Sequence, residues 1–248
     1  MTVTTPFPEM GLARPEVAEL SDLSALLPTA ELLRPIAAAA RPGETTFSYL
    51  GRRPFGPVWE LQKRLHKLRA AGEIGDVVLF LEHEPVYTLG KHADRGNLLS
   101  RRPADVAVIE IDRGGEVTYH GPGQLVGYPI IDLRDHRMSV SWYLRGLEQA
   151  IIAALATWDV PGEQLSGLTG VWIQRRKVAA LGVRLARWTT TPGFAVNLSV
   201  PPACFDGIVP CGILDYGVTN LNDHLPIPVV SQELAWRLIP PLRTMLED

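Results

Sequence analysis

The chain has 248 residues, a length that fits one full domain or one domain with an appendage. A formal net charge of -3 excludes a globally basic nucleic-acid-binding protein, although it leaves room for a local basic patch. Two cysteines, Cys204 and Cys211, are too few for a disulfide framework or a four-ligand zinc site.

The sequence lacks the patterns of export and membrane insertion. No basic stretch followed by an apolar run opens the chain, and no window approaches the roughly 18 apolar residues of a membrane span. We therefore expect a soluble protein, and the low cysteine content makes a reducing cytoplasm the simplest compartment.

Residues 1–45 differ from the rest because six prolines interrupt them and no long periodic segment survives. We interpret them as an N-terminal extension that is either poorly ordered or forms a short docking helix in the Leu/Ala run 23–33. The main, catalytic domain is predicted to cover residues 46–248.

Regular patterns begin after residue 45. A helix is predicted over 57–71, because Val58, Leu61 and Leu65 share one face and Gly72 can end it. A second helix is predicted over 139–158, before Pro161. Strands are predicted over 47–50, 76–81, 106–111, 125–133, 171–173, 178–185 and 194–198.

The chain ends in an amphipathic helix predicted from Ser231 onward, with a bend at Pro240-Pro241. Strands joined largely by hairpins, with few helices between them, predict an α+β fold. Its centre would be a mixed, largely antiparallel β-sheet flanked by helices.

A glycine-rich loop follows the strand predicted over 106–111. It reads Arg113-Gly-Gly-Glu-Val-Thr-Tyr-His120 and continues as Gly121-Pro-Gly-Gln124. Paired glycines allow backbone N–H groups to approach a ligand, but a tight hairpin is the simpler interpretation of the glycines alone. The loop matches neither a dinucleotide fingerprint nor a P-loop.

The six histidines show no metal-binding spacing such as H-E-x-x-H, so we expect no metal and no cofactor. His83 and His120 each suit either of two roles, holding a loop through hydrogen bonds or transferring a proton.

Cys211 lies between Pro210 and Gly212, where a stiff and a free backbone position suit the presentation of its sulfur to a ligand. Lys177 could supply the positive charge that favours a thiolate, or could belong to a solvated turn with Arg175 and Arg176. Cys204 reads as an ordinary buried cysteine. Residue chemistry alone leaves these alternatives open.

Four motifs, in this order, resemble the octanoyltransferases of lipoate biosynthesis. They are residues 82–90 (EHEPVYTLG), 113–124 (RGGEVTYHGPGQ), 177–185 (KVAALGVRL) and 208–213 (IVPCGI). The resemblance extends from about residue 47 to about residue 221. It implies the fold of the lipoate and biotin protein ligases.

The resemblance also implies a reaction. An octanoyl group would pass from octanoyl-acyl carrier protein to a lysine on lipoyl domains of 2-oxoacid dehydrogenases and on the glycine cleavage H protein. Cys211 would form an acyl-thioester and Lys177 would be its catalytic partner. The implied substrate-binding residues are Arg113, Gly114, Gly115, Glu116, Val117, Thr118, Tyr119, His120, Ala180, Leu181, Gly182, Gly193, Phe194 and Ala195.

One departure from the family pattern is Pro192, where relatives commonly carry His.

Three alternatives to the octanoyltransferase are an ATP-dependent lipoate or biotin ligase, a lipoyl amidotransferase, and a non-catalytic module that binds acyl carrier protein. Because acyl carrier proteins are acidic, we expect a basic rim. The residues expected to form this basic rim are Arg101, Arg102, Arg175, Arg176 and Arg187. We also expect a monomer, since two protein partners must dock in turn.

Overall fold

The computed structural model describes residues 20–23, 28–91, 93–111, 114–208 and 217–247. Within these ranges lie the helices α1 (Leu33–Ala39), α2 (Phe55–Ala70), α3 (Val140–Ala156) and α4 (Ser231–Glu247). The strands are β1 (Leu20–Asp22), β2 (Thr45–Arg53), β3 (Asp76–His83), β4 (Val86–Leu89), β5 (Ala107–Glu110), β6 (Thr118–His120), β7 (Gln124–Ile130), β8 (Val171–Ile173), β9 (Arg176–Ala186) and β10 (Thr189–Asn197).

Seven of these strands form the main sheet, in the order β1-β2-β3-β7-β10-β9-β8. The pairs β1–β2 and β2–β3 are parallel, and the remaining four pairs are antiparallel. The predicted α+β class with a mixed, largely antiparallel sheet is therefore confirmed.

Helices cover both faces of the main sheet, as the alternation of apolar residues in β3 requires. Val78 and Phe80 point into the larger core, which α3 and α4 close. Leu79 and Leu81 point into the opposite core, which α1 and α2 close. Alternate residues of β3 therefore face opposite layers of helices.

A second, three-stranded sheet of order β5-β4-β6 stands beside the main one. The sequence patterns predicted β5 but neither β4 nor β6, because both are short and rich in Tyr, Thr and His. This sheet packs its aromatic residues around Tyr87 and Tyr119, whose ring centroids lie 5.3 Å apart. It turns the glycine-rich loop toward the main sheet.

The described part of the N-terminal region is ordered against the domain. Its helix α1 begins where the predicted 23–33 run ends, and Leu32, Ile36 and Ala40 are buried in the core beside α2. The division of the chain at residue 45 stays a prediction. At the other end, α4 runs through Pro240 and Pro241 as one helix.

None of the helices in the described ranges is both long enough and apolar enough to cross a membrane.

Candidate active site

An apolar pocket opens between the first turns of α2, the segment 115–120, and the strands β7, β9 and β10. Its volume is about 610 Å³ when the open space at its mouth is included. Few of the lining side chains are polar: Glu116, Thr118, His120 and Tyr128, besides the indole of Trp59. Such a lining suits a ligand with a long hydrocarbon part.

The structure brings most of the predicted substrate-binding residues together around this pocket. The three segments 115–118, 180–182 and 193–195 line it together with His120. Gly114 lies outside the wall, and Tyr119 points away into the core of the small sheet. Arg113 lies outside the described residues.

The close contact between β10 and β7 explains why glycine occupies position 193 of the pocket wall and position 127 of the neighbouring strand. A methyl group on Gly193 would lie 2.1 Å from the carbonyl oxygen of Gly127, and one on Gly127 would lie 2.3 Å from the Phe194 ring. Real Cβ atoms do not approach so closely, so both positions favour glycine, which has no Cβ atom. The ring of Phe194 can therefore lie across β7 and form part of the floor.

Five wall residues carry no sequence signal of a ligand-binding role. Those outside β7 reach the pocket through the packing of α2 and of the segment after β5, which no local pattern shows. Pro192, the departure from the family pattern, also lines the pocket. The five are Phe55, Trp59, Ile111, Val126 and Tyr128.

Lys177 occupies the second position of β9, directly after the hairpin from β8. Gln174 and Arg175 form that turn with positive φ angles of 49° and 61°. The side chain of Lys177 is only 8% exposed, and its ammonium lies 5.1 Å from the centroid of the buried Trp172 ring. Lys177 is therefore not part of a solvated turn.

The segment that contains Cys211 lies outside the described residues, but both of its borders are held. Ile208 forms a β-bridge to Leu98 before the segment. After it, Gly217 accepts a hydrogen bond from the backbone N–H of Lys177 at 2.8 Å, and Thr219 donates to the Lys177 carbonyl at 3.0 Å. The chain beyond the segment thus returns alongside the predicted catalytic lysine.

A chain of buried hydrogen bonds joins the pocket to this return strand. His120 Nδ1 donates to Gln124 Oε1 at 2.7 Å, and Gln124 Nε2 donates to Asn197 Oδ1 at 2.9 Å. Asn197 Nδ2 in turn reaches the carbonyl of Thr219 at 3.4 Å. This relay connects the position of His120 with that of Lys177 through side chains that are almost fully buried.

His83 is the second histidine beside the pocket, and it is completely buried. Burial lowers its pKa from 6.5 to about 4, partly offset by a hydrogen bond to the carbonyl of Arg53. Because that carbonyl only accepts, Nδ1 carries the hydrogen and Nε2 accepts from the Tyr128 hydroxyl at 2.8 Å. His83 is thus a neutral support behind Tyr128.

Comparison with known proteins agrees with the motif resemblance. Residues 56–240 match the family described as the lipoyl protein ligase A/B catalytic domain. The octanoyltransferase of Chloroflexus aurantiacus is 46% identical over 202 residues, which are 78% of this chain and 90% of that one. The chain belongs to the octanoyltransferase family. The octanoyltransferase of Gloeobacter violaceus is 50% identical over 161 residues, 64% of this chain and 72% of its own.

Solved structures that resemble this octanoyltransferase family member share its fold at low sequence identity. A putative lipoate protein ligase from T. acidophilum superposes with a TM-score of 0.62 at 12% identity, covering 80% of this chain and 84% of that one. The biotin protein ligase from Aquifex aeolicus in complex with biotin and ATP gives 0.52 at 12% identity, covering 83% and 71%. The predicted fold relationship to both ligase classes is confirmed.

Cys204, the second cysteine of this octanoyltransferase family member, lies in the aromatic core of the small sheet. Its carbonyl accepts a hydrogen bond from the Tyr87 hydroxyl at 2.9 Å. Burial raises the pKa of the neighbouring Tyr119 hydroxyl, and its contact with Cys204 raises it further. Cys204 is thus half-buried among phenol rings and does not line the pocket.

The arginines expected to form one basic rim lie in different places. Arg101 donates to the carbonyl of Asp206, close to the segment that holds Cys211, and Arg176 lies over Gly217 at the other border. Arg187 follows the far end of β9, roughly 36 Å from Arg176 at the rise of an extended strand. In the ranges the structure describes, no group of His, Cys, Asp and Glu could hold a metal ion.

Proposed function

We propose that this protein transfers an octanoyl group from octanoyl-acyl carrier protein to a lysine of a lipoyl domain, through a thioester on Cys211. The observation that carries the proposal is the apolar pocket. Three segments that the family resemblance assigns to substrate binding meet around it, and one of them continues the strand that begins beside Lys177.

In the first step, the Cys211 thiolate attacks the carbonyl carbon of the donor thioester. The new C–S bond forms as the bond to the phosphopantetheine sulfur breaks, and the released thiolate takes up a proton. Because one thioester replaces another, the step is nearly isoenergetic and the acyl group is held without being trapped.

In the second step, the amine of the acceptor lysine attacks the thioester on Cys211. An amide C–N bond forms, the C–S bond to Cys211 breaks, and the attacking nitrogen loses a proton. The ammonium of a lysine in water has a pKa of roughly 10.4, so near neutral pH the acceptor lysine is protonated. A base must therefore remove a proton before its nitrogen can attack.

We assign both electrostatic tasks to Lys177. Its ammonium would favour the thiolate of Cys211 in the first step, because an opposite charge stabilises an ionised sulfur. The side chain is 8% exposed and packs over Trp172, which fixes the position of its nitrogen. In the second step, the neutral amine of Lys177 would accept the proton of the incoming amine. Backbone N–H groups near Gly182 are candidate donors to the oxyanion.

The partner proteins follow from the same reaction. Arg101 and Arg176 border the segment that holds Cys211, so they are the candidate contacts for an acidic carrier protein. We propose that the acceptors are the lipoyl domains of 2-oxoacid dehydrogenases and the glycine cleavage H protein. A monomer in a reducing cytoplasm would leave the Cys211 thiol free for both partners.

A donor comparison tests this function. Purified lipoyl domain is incubated with the protein and one of three donors: octanoyl-acyl carrier protein, octanoate with ATP, or an octanoylated H protein. We expect modification only with the carrier-bound donor, and loss of it in Cys211→Ser. Activity with octanoate and ATP that survives Cys211→Ser would instead identify a ligase. Activity with octanoyl-H protein alone would identify an amidotransferase.

A further inference from the structure

One end of the pocket is walled by two stacked aromatic rings on the first turns of α2. The centroids of Phe55 and Trp59 lie 5.9 Å apart with an interplanar angle of 22°, and both side chains line the pocket. We propose that this pair, and Trp59 above all, sets the longest acyl chain that the pocket accepts. The proposal rests on the acyl-transfer function argued above.

The direction of the pocket follows from β9. Lys177 stands at the beginning of this strand, whereas Ala180 to Gly182 line the pocket further along it. At about 3.3 Å per residue, Gly182 lies roughly 16 Å from Lys177. The pocket therefore leads away from the reactive end along the strand, and an acyl tail attached near Lys177 would point toward Gly182.

The course of α2 places Trp59 at that distant end. Phe55 begins the helix beside His83, at a ring-centroid distance of 5.1 Å. Near the end of the helix, Arg69 reaches Asp76, which also accepts from the N–H of Asp132, and Asp132 faces Thr189. The helix thus runs antiparallel to β10, from the level of His83 toward that of Thr189.

Trp59 lies one helical turn beyond Phe55, or about 6 Å along the axis. Trp59 lines the pocket together with Gly193 and Pro192, which pair with Gly182 and Val183 of β9. In this proposal, the indole closes the part of the pocket that these residues form, away from Lys177.

The two rings are held differently, which singles out Trp59. Phe55 is buried and packs with Val86 and Ile111, so its position is fixed by the core. Trp59 is half-buried, and the Lys63 ammonium lies 6.0 Å from its ring centroid. The indole thus separates the pocket from the exposed side of α2, and its removal would lengthen the pocket without opening the main core.

Each methylene that the pocket buries favours binding about fourfold, so a longer chain would bind better if space allowed. A wall that excludes a methylene changes discrimination by roughly tenfold or more. Binding should therefore become tighter with increasing acyl-chain length until the chain reaches the indole. Longer chains should then bind more weakly.

The test measures kcat/KM with octanoyl-, decanoyl- and dodecanoyl-acyl carrier protein. We expect the ratio of dodecanoyl to octanoyl transfer to rise at least about tenfold in Trp59→Ala and by less in Trp59→Leu. Trp236→Ala is the matched control, because Trp236 is a half-exposed indole on α4 outside the pocket. An unchanged ratio in a folded Trp59→Ala variant would overturn the proposal, and if that variant is unfolded the same ratio in Trp59→Leu decides.

Failure of the acyl-transfer function would be seen separately, as absence of transfer by the unaltered protein. The length limit can then be measured by calorimetric titration with free octanoate and dodecanoate, which need only the pocket. A gain for dodecanoate in Trp59→Ala but not in Trp236→Ala supports the wall, and equal affinities in all three proteins contradict it.

Discussion

The ammonium of Lys177 lies 5.1 Å from the ring centroid of Trp172, its cross-strand partner in the β8–β9 hairpin. The indole is completely buried, so the cation rests on an aromatic face at the edge of the core. The aromatic face helps to fix the position of the cation. The hairpin, whose turn needs two positive φ angles, places the lysine there.

Replacement of Lys177 by Arg separates its two proposed roles. Arg keeps the positive charge and the attraction to Trp172 but cannot lose a proton. We expect kcat for transfer to the lipoyl domain to fall by about 10²- to 10⁴-fold at every pH tested. Rates measured from pH 6 to 9 test this. Wild-type activity throughout would show that Lys177 supplies charge only.

The relay from His120 to Thr219 predicts an effect of Asn197→Ala. The substitution removes the acceptor of one Gln124 N–H and the donor to Thr219, so a buried polar group loses its partner at a cost of about 1–3 kcal/mol. We expect a lower denaturation midpoint and a loss of activity of about tenfold to a hundredfold, through displacement of the Lys177 strand.

Gln149→Ala serves as the control for that substitution, because Gln149 is exposed and hydrogen-bonds only to Gln164 among the contacts described. Equal activity of the Asn197 and Gln149 variants would mean that the relay does not position the site.

The buried neutral His83 predicts sensitivity to acid. Its pKa is lowered in the folded state, so its contribution to stability is present above about pH 6.5 and is lost as pH falls toward 4. Between pH 7 and 5 this loss amounts to about 2 kcal/mol. In His83→Gln, the free energy of unfolding should fall less over this interval than in the unaltered protein.

His136→Gln should change that pH dependence in the opposite sense. A hydrogen bond donated by its ring Nε2–H to the Asp76 carboxylate raises the pKa of His136 in the folded state. Its contribution is therefore complete below pH 6.5 and is lost as pH rises through the raised value. Urea titrations of both variants at pH 5 and pH 7 would test the two signs, and parallel shifts in the same direction would refute the assignment.

The close contact of β10 with β7 predicts that Gly193→Ala is destabilising. The added methyl group would meet the carbonyl oxygen of Gly127 at 2.1 Å, and such overpacking costs about 1–3 kcal/mol. Gly56→Ala is the matched control, since nothing lies within 4 Å of its added methyl group and Ala favours the helix. The prediction fails if the two variants have the same urea midpoint.

Local sequence patterns predicted the elements that bury a regular apolar face. The stripe of Val58, Leu61 and Leu65 predicted α2, and the continuous apolar run after Asp76 predicted β3. The strands β4 and β6 were missed because three or four residues rich in Tyr, Thr and His do not show a period. Their pairing depends on each other and on β5.

The candidate site likewise has one part that sequence motifs predict and another that only tertiary packing creates. The motifs around Gly115, Gly182 and Gly193 are recognisable in sequence, and the fold brings them to one pocket. Phe55 and Trp59 carry no local signal of that kind, because they reach the pocket only when α2 packs antiparallel to β10. The burial of Lys177 likewise depends on Trp172 and on the return of the chain at Gly217, both set by tertiary pairing.

The central claim is a covalent acyl group on Cys211, and intact-protein mass spectrometry tests it most directly. After incubation with octanoyl-acyl carrier protein and no acceptor, we expect the protein to gain the mass of one octanoyl group. The adduct should persist in Cys204→Ala, disappear in Cys211→Ala, and be discharged when lipoyl domain is added. An unmodified protein that nevertheless octanoylates the lipoyl domain under the same conditions would contradict the account.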